Sequence, residues 1–160
     1  WLGTFGGGLN LAVKTKDGYQ FRHFLQDNYG EKRIRVIEED KNGRMWVGTN
    51  NGIYIFHPDS LIHAPKNYIL YNHVNETFPS NEIRCLVNDH EGNMWIGTTG
   101  TGFAICNPGD DYQHLTFDCY SMKDGLPNGV IQSIVEDQDH KMWIATEYGI
   151  STSFIFVNGS

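Results

Sequence analysis

All four tryptophans of this 160-residue chain open one phrase: Trp1-Leu2-Gly3-Thr4, Trp46-Val47-Gly48-Thr49, Trp95-Ile96-Gly97-Thr98 and Trp143-Ile144-Ala145-Thr146. They stand 45, 49 and 48 residues apart. A rare, large side chain placed at a near-constant period marks a repeat protein. A period of about 40–50 residues is that of propeller blades and of some helical repeats.

The wider repeat separates these two. Upstream of three of the tryptophans run Ile34–Met45, Ile83–Met94 and Ile131–Met142, each holding an apolar start, an Asp (Asp40, Asp89, Asp137) and a Met at fixed distances from Trp. Short β-branched and aromatic runs bounded by Gly, Asn and Asp read as strands. No window of helical length keeps a period near 3.6, which disfavours a helical solenoid. Asp40-Lys41-Asn42-Gly43 fits a type I turn closing in a residue of positive φ, the usual three-residue hairpin loop. Gly92 repeats the arrangement, and His140 takes the same place in the last copy. Each unit is therefore expected as strand A, tight turn, strand B, then C and D. The layout gives A at 34–39, B at 45–49, C at 53–56 and D at about 68–73, then A at 83–88, B at 94–98, C at 103–106 and D at about 115–121. Counting B, C and D at the start and A, B and C at the end, fourteen strands are expected.

The fold class predicted is all-β, a β-propeller of about three and a half four-stranded blades with A innermost. The segments are a partial blade at 1–27, full blades at 28–75 and 76–122, and a partial blade at 123–160. Because the first unit lacks strand A and the last lacks D, the expectation is a piece of a larger ring, seven-bladed by preference, or a half that meets a second copy.

The Asp-x-x-Gly-x-x-Trp-[Val/Ile]-Gly-Thr-x-x-Gly phrase resembles the two-component regulator propeller repeat, and the resemblance runs through all four units. The last copy departs from it at His140 and Ala145. The family implies a periplasmic sensor region of hybrid two-component regulators, known mostly from polysaccharide-degrading Bacteroidetes. In that family the sensor is followed by a further β-domain, a membrane span, a histidine kinase, a receiver and a DNA-binding region. A periplasmic location is thus what the resemblance implies, and the composition is silent on it.

Composition narrows the partners. A net charge of −7 argues against nucleic acid, which needs a basic face. No apolar run approaches the roughly 18 residues of a membrane span, and no membrane contact is expected. Cys85, Cys106 and Cys119 are an odd set read as small hydrophobes. The seven histidines show no metal-ligand spacing, so neither metal nor cofactor is expected. No Gly-x-Ser-x-Gly elbow occurs, and the Gly6-Gly7-Gly8 run has no helix after it to cradle phosphate. Trp1, Trp46, Trp95 and Trp143 are read as wedges between blades. Asp40, Asp89 and Asp137, with Gly43 and Gly92, are read as turn residues.

One constellation points to a ligand. Arg35, Arg84 and Gln132 are each second in a strand A, at the end where the B–C loops emerge with Asn50, Asn51, Glu147 and Tyr148. Guanidinium and amide groups beside aromatics suit an oligosaccharide, above all one bearing carboxylates. The bland alternative pairs the arginines with acids such as Glu39 or Asp124. The function expected is a non-catalytic sensor recognising an oligosaccharide-type ligand or a partner protein. A propeller lyase or hydrolase is the alternative, though no base, partner and electrophile stand out. A WD-type scaffold lacks its Gly-His and Trp-Asp pairs.

Overall fold

A computed structural model describes residues 1–75, 77–109 and 111–152. The described strands are arranged in four antiparallel sheets, each a meander in chain order. The first holds β1 (Leu2–Gly3), β2 (Leu9–Thr15) and β3 (Gly18–Phe24). The second holds β4 (Ile34–Glu39), β5 (Met45–Thr49), β6 (Gly52–Phe56) and β7 (Ile69–Tyr71). The third holds β8 (Ile83–Asn88), β9 (Met94–Thr98), β10 (Phe103–Cys106) and β11 (Asp118–Tyr120). The fourth holds β12 (Ile131–Glu136), β13 (Met142–Thr146) and β14 (Gly149–Thr152). The all-β class and the fourteen strands are as the repeat predicts. The final apolar run extends to Phe154, which lies outside the described residues.

The chain divides into two compact units, Trp1–Ile83 and the residues from Arg84 onward. In the first unit one feature departs from expectation. The connection from β6 to β7 contains a helix, α1 (Pro58–His63), and β7 is shorter than the strand predicted at about 68–73. Pro58 opens the helix where its missing N–H costs nothing. Leu61 is fully buried with Leu9, Tyr54 and Phe56, and Arg22 of β3 donates to the Ile62 carbonyl at 2.6 Å. Tertiary anchoring thus holds a helix too short to stand by its own propensity. In the second unit β11 is likewise shorter than the strand expected at about 115–121, and a 3₁₀ turn, Met122–Asp124, follows it.

Each element of the repeated phrase has a physical task. The Asp closes the A–B turn and also holds the Trp. Trp46 Nε1 donates to Asp40 Oδ2 at 2.8 Å, Trp95 to Asp89 at 2.9 Å and Trp143 to Asp137 at 2.7 Å. The other carboxylate oxygen accepts main-chain N–H groups of the turn, from Asn42 and Arg44, from Asn93, and from Asp139 and Lys141. The last turn position is left-handed in all three copies: Gly43 at φ 73°, Gly92 at 87° and His140 at 61°. The Thr of the phrase donates to the carbonyl across the B–C loop, Thr49 to Gly52 at 3.0 Å and Thr98 to Gly102 at 2.6 Å.

The Gly of the phrase lets one sheet approach the next. A Cβ at Gly3 would lie 2.4 Å from Ile34 Cγ2, one at Gly48 2.7 Å from Ile83 Cγ2, and one at Gly97 2.4 Å from Cys85 Sγ and 2.7 Å from Ile131 Cγ2. Strand B of the first sheet and of the third therefore meets the first residue of the following strand A at glycine-only distance, and within the first unit Gly48 lies as close to Ile83. Around that seam the large side chains interlock. Trp1 packs its ring on Phe56 of the second sheet at 5.6 Å, and Trp95 shares a core with Ile131 and Ile134 of the fourth. Trp46 is 0% and Trp95 3% exposed, whereas Trp143 is 41% exposed.

Gly97→Val should lower stability by about 1–3 kcal/mol through overpacking of the Ile131 seam, read as a fall in the urea midpoint. A variant as stable as the parent would refute the close approach. Burial raises the Asp40 and Asp89 carboxyls, but hydrogen bonds led by the Trp46 and Trp95 indoles outweigh it and hold both below the ordinary 3.8. Asp137, under the Trp143 indole, is lowered too. Groups depressed by folding stabilise fully above their unfolded pKa, and the gain is lost as pH falls through it towards the lower folded values. The melting temperature should therefore drop steeply below about pH 4, and less steeply in Asp89→Asn.

Candidate functional site

The B–C loop end of the first unit gathers cations and rings. Phe5 forms an isolated bridge with Arg33, which brings the first B–C loop against the start of β4. The Arg33 guanidinium lies 4.5 Å from the Phe5 ring centroid and 4.1 Å from that of Tyr29, and Arg35 lies 4.6 Å from Phe5. Phe5 is thus flanked by two arginines, and both Phe5 and Tyr29 are exposed. Arg35 Nε donates to Asn50 Oδ1 at 3.0 Å, joining two residues that the sequence placed at the same end. Phe5, Arg33 and Tyr29 lie outside the constellation that the repeat positions point to. The signal available was the Arg33-x-Arg35 spacing, which puts both side chains on one face of a strand.

Asn51, the neighbour of Asn50, turns inward. Its amide donates to the Tyr54 hydroxyl at 2.6 Å, and that hydroxyl donates to Glu31 Oε2 at 3.0 Å. Glu31 is buried and also accepts from the Asp27 main chain and from Asn28 Nδ2 at 2.9 Å. A carboxylate taken out of water needs such a full set of donors. Burial pushes the Tyr54 hydroxyl well above its ordinary range, so it stays protonated and able to donate. This network fixes the loop that carries Tyr29 to the strand beneath it. Nothing local in the sequence distinguishes Glu31 from an exposed glutamate.

In the second unit Arg84 Nη2 donates to Gln132 Oε1 at 2.7 Å, so two of the expected residues meet directly. Asp124, considered as an arginine partner, instead closes a capping box with Ser121. Glu147 and Tyr148 are exposed on the last B–C loop, where the Glu147 main chain donates to the Val130 carbonyl. Among the cysteines, burial pushes the Cys85 thiol up to about 11, Cys106 is buried, and Cys119 is exposed rather than interior. Cys119 pairs across the sheet with Ala104, so it does not face Cys106.

The structure also joins residues that sequence spacing kept apart. His90, in the turn of the third sheet, stacks on His140, in the turn of the fourth, with ring centroids 3.8 Å apart. Glu136 at the end of β12 bonds to both imidazoles, with His140 Nδ1 at 3.2 Å.

The two-component regulator propeller family model matches residues 28–51, 77–100 and 125–148. Each match spans one A–B hairpin with its Asp, Trp and following B–C loop. The three segments are two-component regulator propeller repeats. Among solved structures, the chain superposes over its full length on the extracellular domain of BT3049 from B. thetaiotaomicron, assigned to a hybrid two component system, with 25% identity and a TM-score of 0.63. It covers 26% of that domain. The extracellular domain of BT4673 from the same organism, also assigned to a hybrid two component system, matches 92% of the chain at 22% identity and a TM-score of 0.70, with 21% of its own length covered. The chain thus spans about a quarter of these relatives. Virginiamycin B lyase from Staphylococcus aureus shares the fold at 17% identity and a TM-score of 0.58, over 93% of the chain and 50% of the lyase. Comparison with curated proteins finds no match.

In these propeller repeats the B–C loop end is held from below by Tyr54. Tyr54→Phe should cost about 1–3 kcal/mol, because the buried Glu31 carboxylate loses a donor. Thermal unfolding of the variant tests this. An unchanged melting temperature would show that water replaces the hydroxyl.

Proposed function

We propose that the chain is a non-catalytic sensor module of a periplasmic two-component signalling protein and that it binds an acidic oligosaccharide at the B–C loop end. The observation that carries this is the cluster of exposed Phe5, Arg35 and Tyr29 around the half-buried Arg33. A sugar ring stacks on an aromatic face, and a guanidinium fork receives a carboxylate in two bonds. Asn50 adds an amide to that cluster, and Asn51 holds its loop in place through Tyr54. In the second unit, taken by itself, Arg84, Gln132, Glu147 and Tyr148 are the residues proposed to contact a ligand.

The groups assembled at Phe5 favour binding over catalysis. Guanidinium and amide side chains do not exchange protons near neutral pH, so they hold a ligand without acting as general acid or base. Likeness to the extracellular domains of hybrid two component systems supports the sensor reading over the lyase one, whose likeness extends to fold alone. The periplasmic location comes from the same relatives. Partners of a second kind are further blades. The first sheet exposes Leu2, Val13, Tyr19 and Phe21, and the fourth exposes Val135, Trp143 and Ile150. In the interior repeats such side chains pack against a neighbouring sheet.

The test is calorimetry with uronic-acid oligosaccharides and their carboxyl-reduced forms. Binding of the acidic form should weaken at least about tenfold on Arg35→Ala and on Phe5→Ala, with the fold intact by circular dichroism. Equal binding of the reduced sugars, or variants that bind as the parent does, would remove the proposal.

A further inference from the structure

We infer that His90, Glu136 and His140 form a binding site for a divalent transition-metal ion, clamping the A–B turn of the third sheet to that of the fourth. One ligand atom from each of the three residues lies within 4.8 Å of the others. Metal bonds of about 2.0–2.2 Å put neighbouring ligand atoms roughly 3.4 Å apart, so small side-chain shifts that open the carboxylate–imidazole contacts would admit an ion. Both histidines are exposed and can make that adjustment by side-chain rotation. Glu136 is half-buried and already oriented, because the His90 main-chain N–H donates to its Oε2 at 2.9 Å. An outer hydrogen bond that fixes a ligating carboxylate is a regular part of metal sites.

A second observation comes from the repeat itself. The fourth position of the A–B turn is left-handed in every copy, and the other two copies fill it with Gly43 and Gly92. His140 occupies it at φ 61°, a conformation that costs a side-chain-bearing residue more than glycine. A disfavoured residue at a turn, with its imidazole stacked on His90 and turned to the same carboxylate, is the pattern of strain kept for a site. At the repeat positions one unit earlier stand Lys41, Asn88 and Gly92, which is no ligand set. The site therefore belongs to one blade pair and is separate from the repeat's shared architecture.

Two imidazoles and one carboxylate suit Zn²⁺, Ni²⁺ or Cu²⁺ and not Ca²⁺, which takes six to eight oxygens. Three protein ligands leave further positions to water. The consequence is mechanical: ions that bind the assembled turns and not the unfolded chain stabilise the pair of blades.

The experiment titrates the full chain, freed of any polyhistidine tag, with ZnCl₂ by calorimetry. One ion per chain is expected, with a rise in melting temperature. His140→Gly, which installs the residue of the sister turns, and His90→Gln should each weaken Zn²⁺ binding more than about tenfold. Electron paramagnetic resonance of the Cu²⁺-loaded parent should show coupling to two imidazole nitrogens, and this needs no variant to fold. Absence of Zn²⁺ binding by the parent, unchanged affinity in both variants, or a Cu²⁺ spectrum without nitrogen coupling would each overturn the site. If the two histidines serve only to share a hydrogen bond with Glu136, these are the results that appear.

Discussion

The bond from the indole of Trp46, Trp95 and Trp143 to the Asp six residues before it organises the repeat. It ties the second strand of a hairpin to the turn that created the hairpin, so local turn chemistry and long-range packing are set by one carboxylate. Asp40 shows the arrangement at its most complete, with Arg44 Nε at 2.7 Å and the Trp46 indole on the same oxygen. With the indole N–H satisfied in this way, the ring can be buried. Trp95 is then free to serve as the plate on which Ile131 and Ile134 of the next sheet pack. The glycine two residues on removes the side chain that would hold those sheets apart.

This construction separates stability from recognition. The seam between sheets uses glycine, isoleucine and tryptophan at fixed repeat positions, so it changes little from copy to copy. The B–C loops lie outside that seam and differ between copies. Asn50-Asn51, Thr99–Thr101 and Glu147-Tyr148 differ in every copy. The Phe5 cluster and the His90–His140 pair occupy such variable positions at opposite ends of their strands. One uses the loop after strand B and the other uses the turn before it. Two chemically distinct sites can therefore be carried by one scaffold without altering its core.

The sheet order, the hairpin turns and most strand limits were legible in the sequence because they rest on local rules repeated three times. A β4 or β8 strand is bounded by an apolar start and an Asp turn, and both are written in consecutive residues. Strand D was less legible. β7 and β11 are short and framed by irregular segments, one holding helix α1, whose position depends on Leu61 finding the core and Arg22 finding the Ile62 carbonyl. Such contacts link residues tens of positions apart and leave no periodic trace.

The candidate sites divide in the same way. The sequence alone determined the repeat, the all-β class, the left-handed turn position and the second place in strand A for Arg35, Arg84 and Gln132. Each of these depends on backbone geometry within a few residues, which spacing encodes directly. Only the tertiary structure decided that Arg33 and Arg35 flank Phe5, that Glu31 is buried beneath Tyr54, and that His90 stacks on His140 fifty residues away. Those pairings arise where one sheet meets the next. A chain pattern specifies which face a residue occupies, but the partner on the opposing sheet is fixed only when the sheets close on each other.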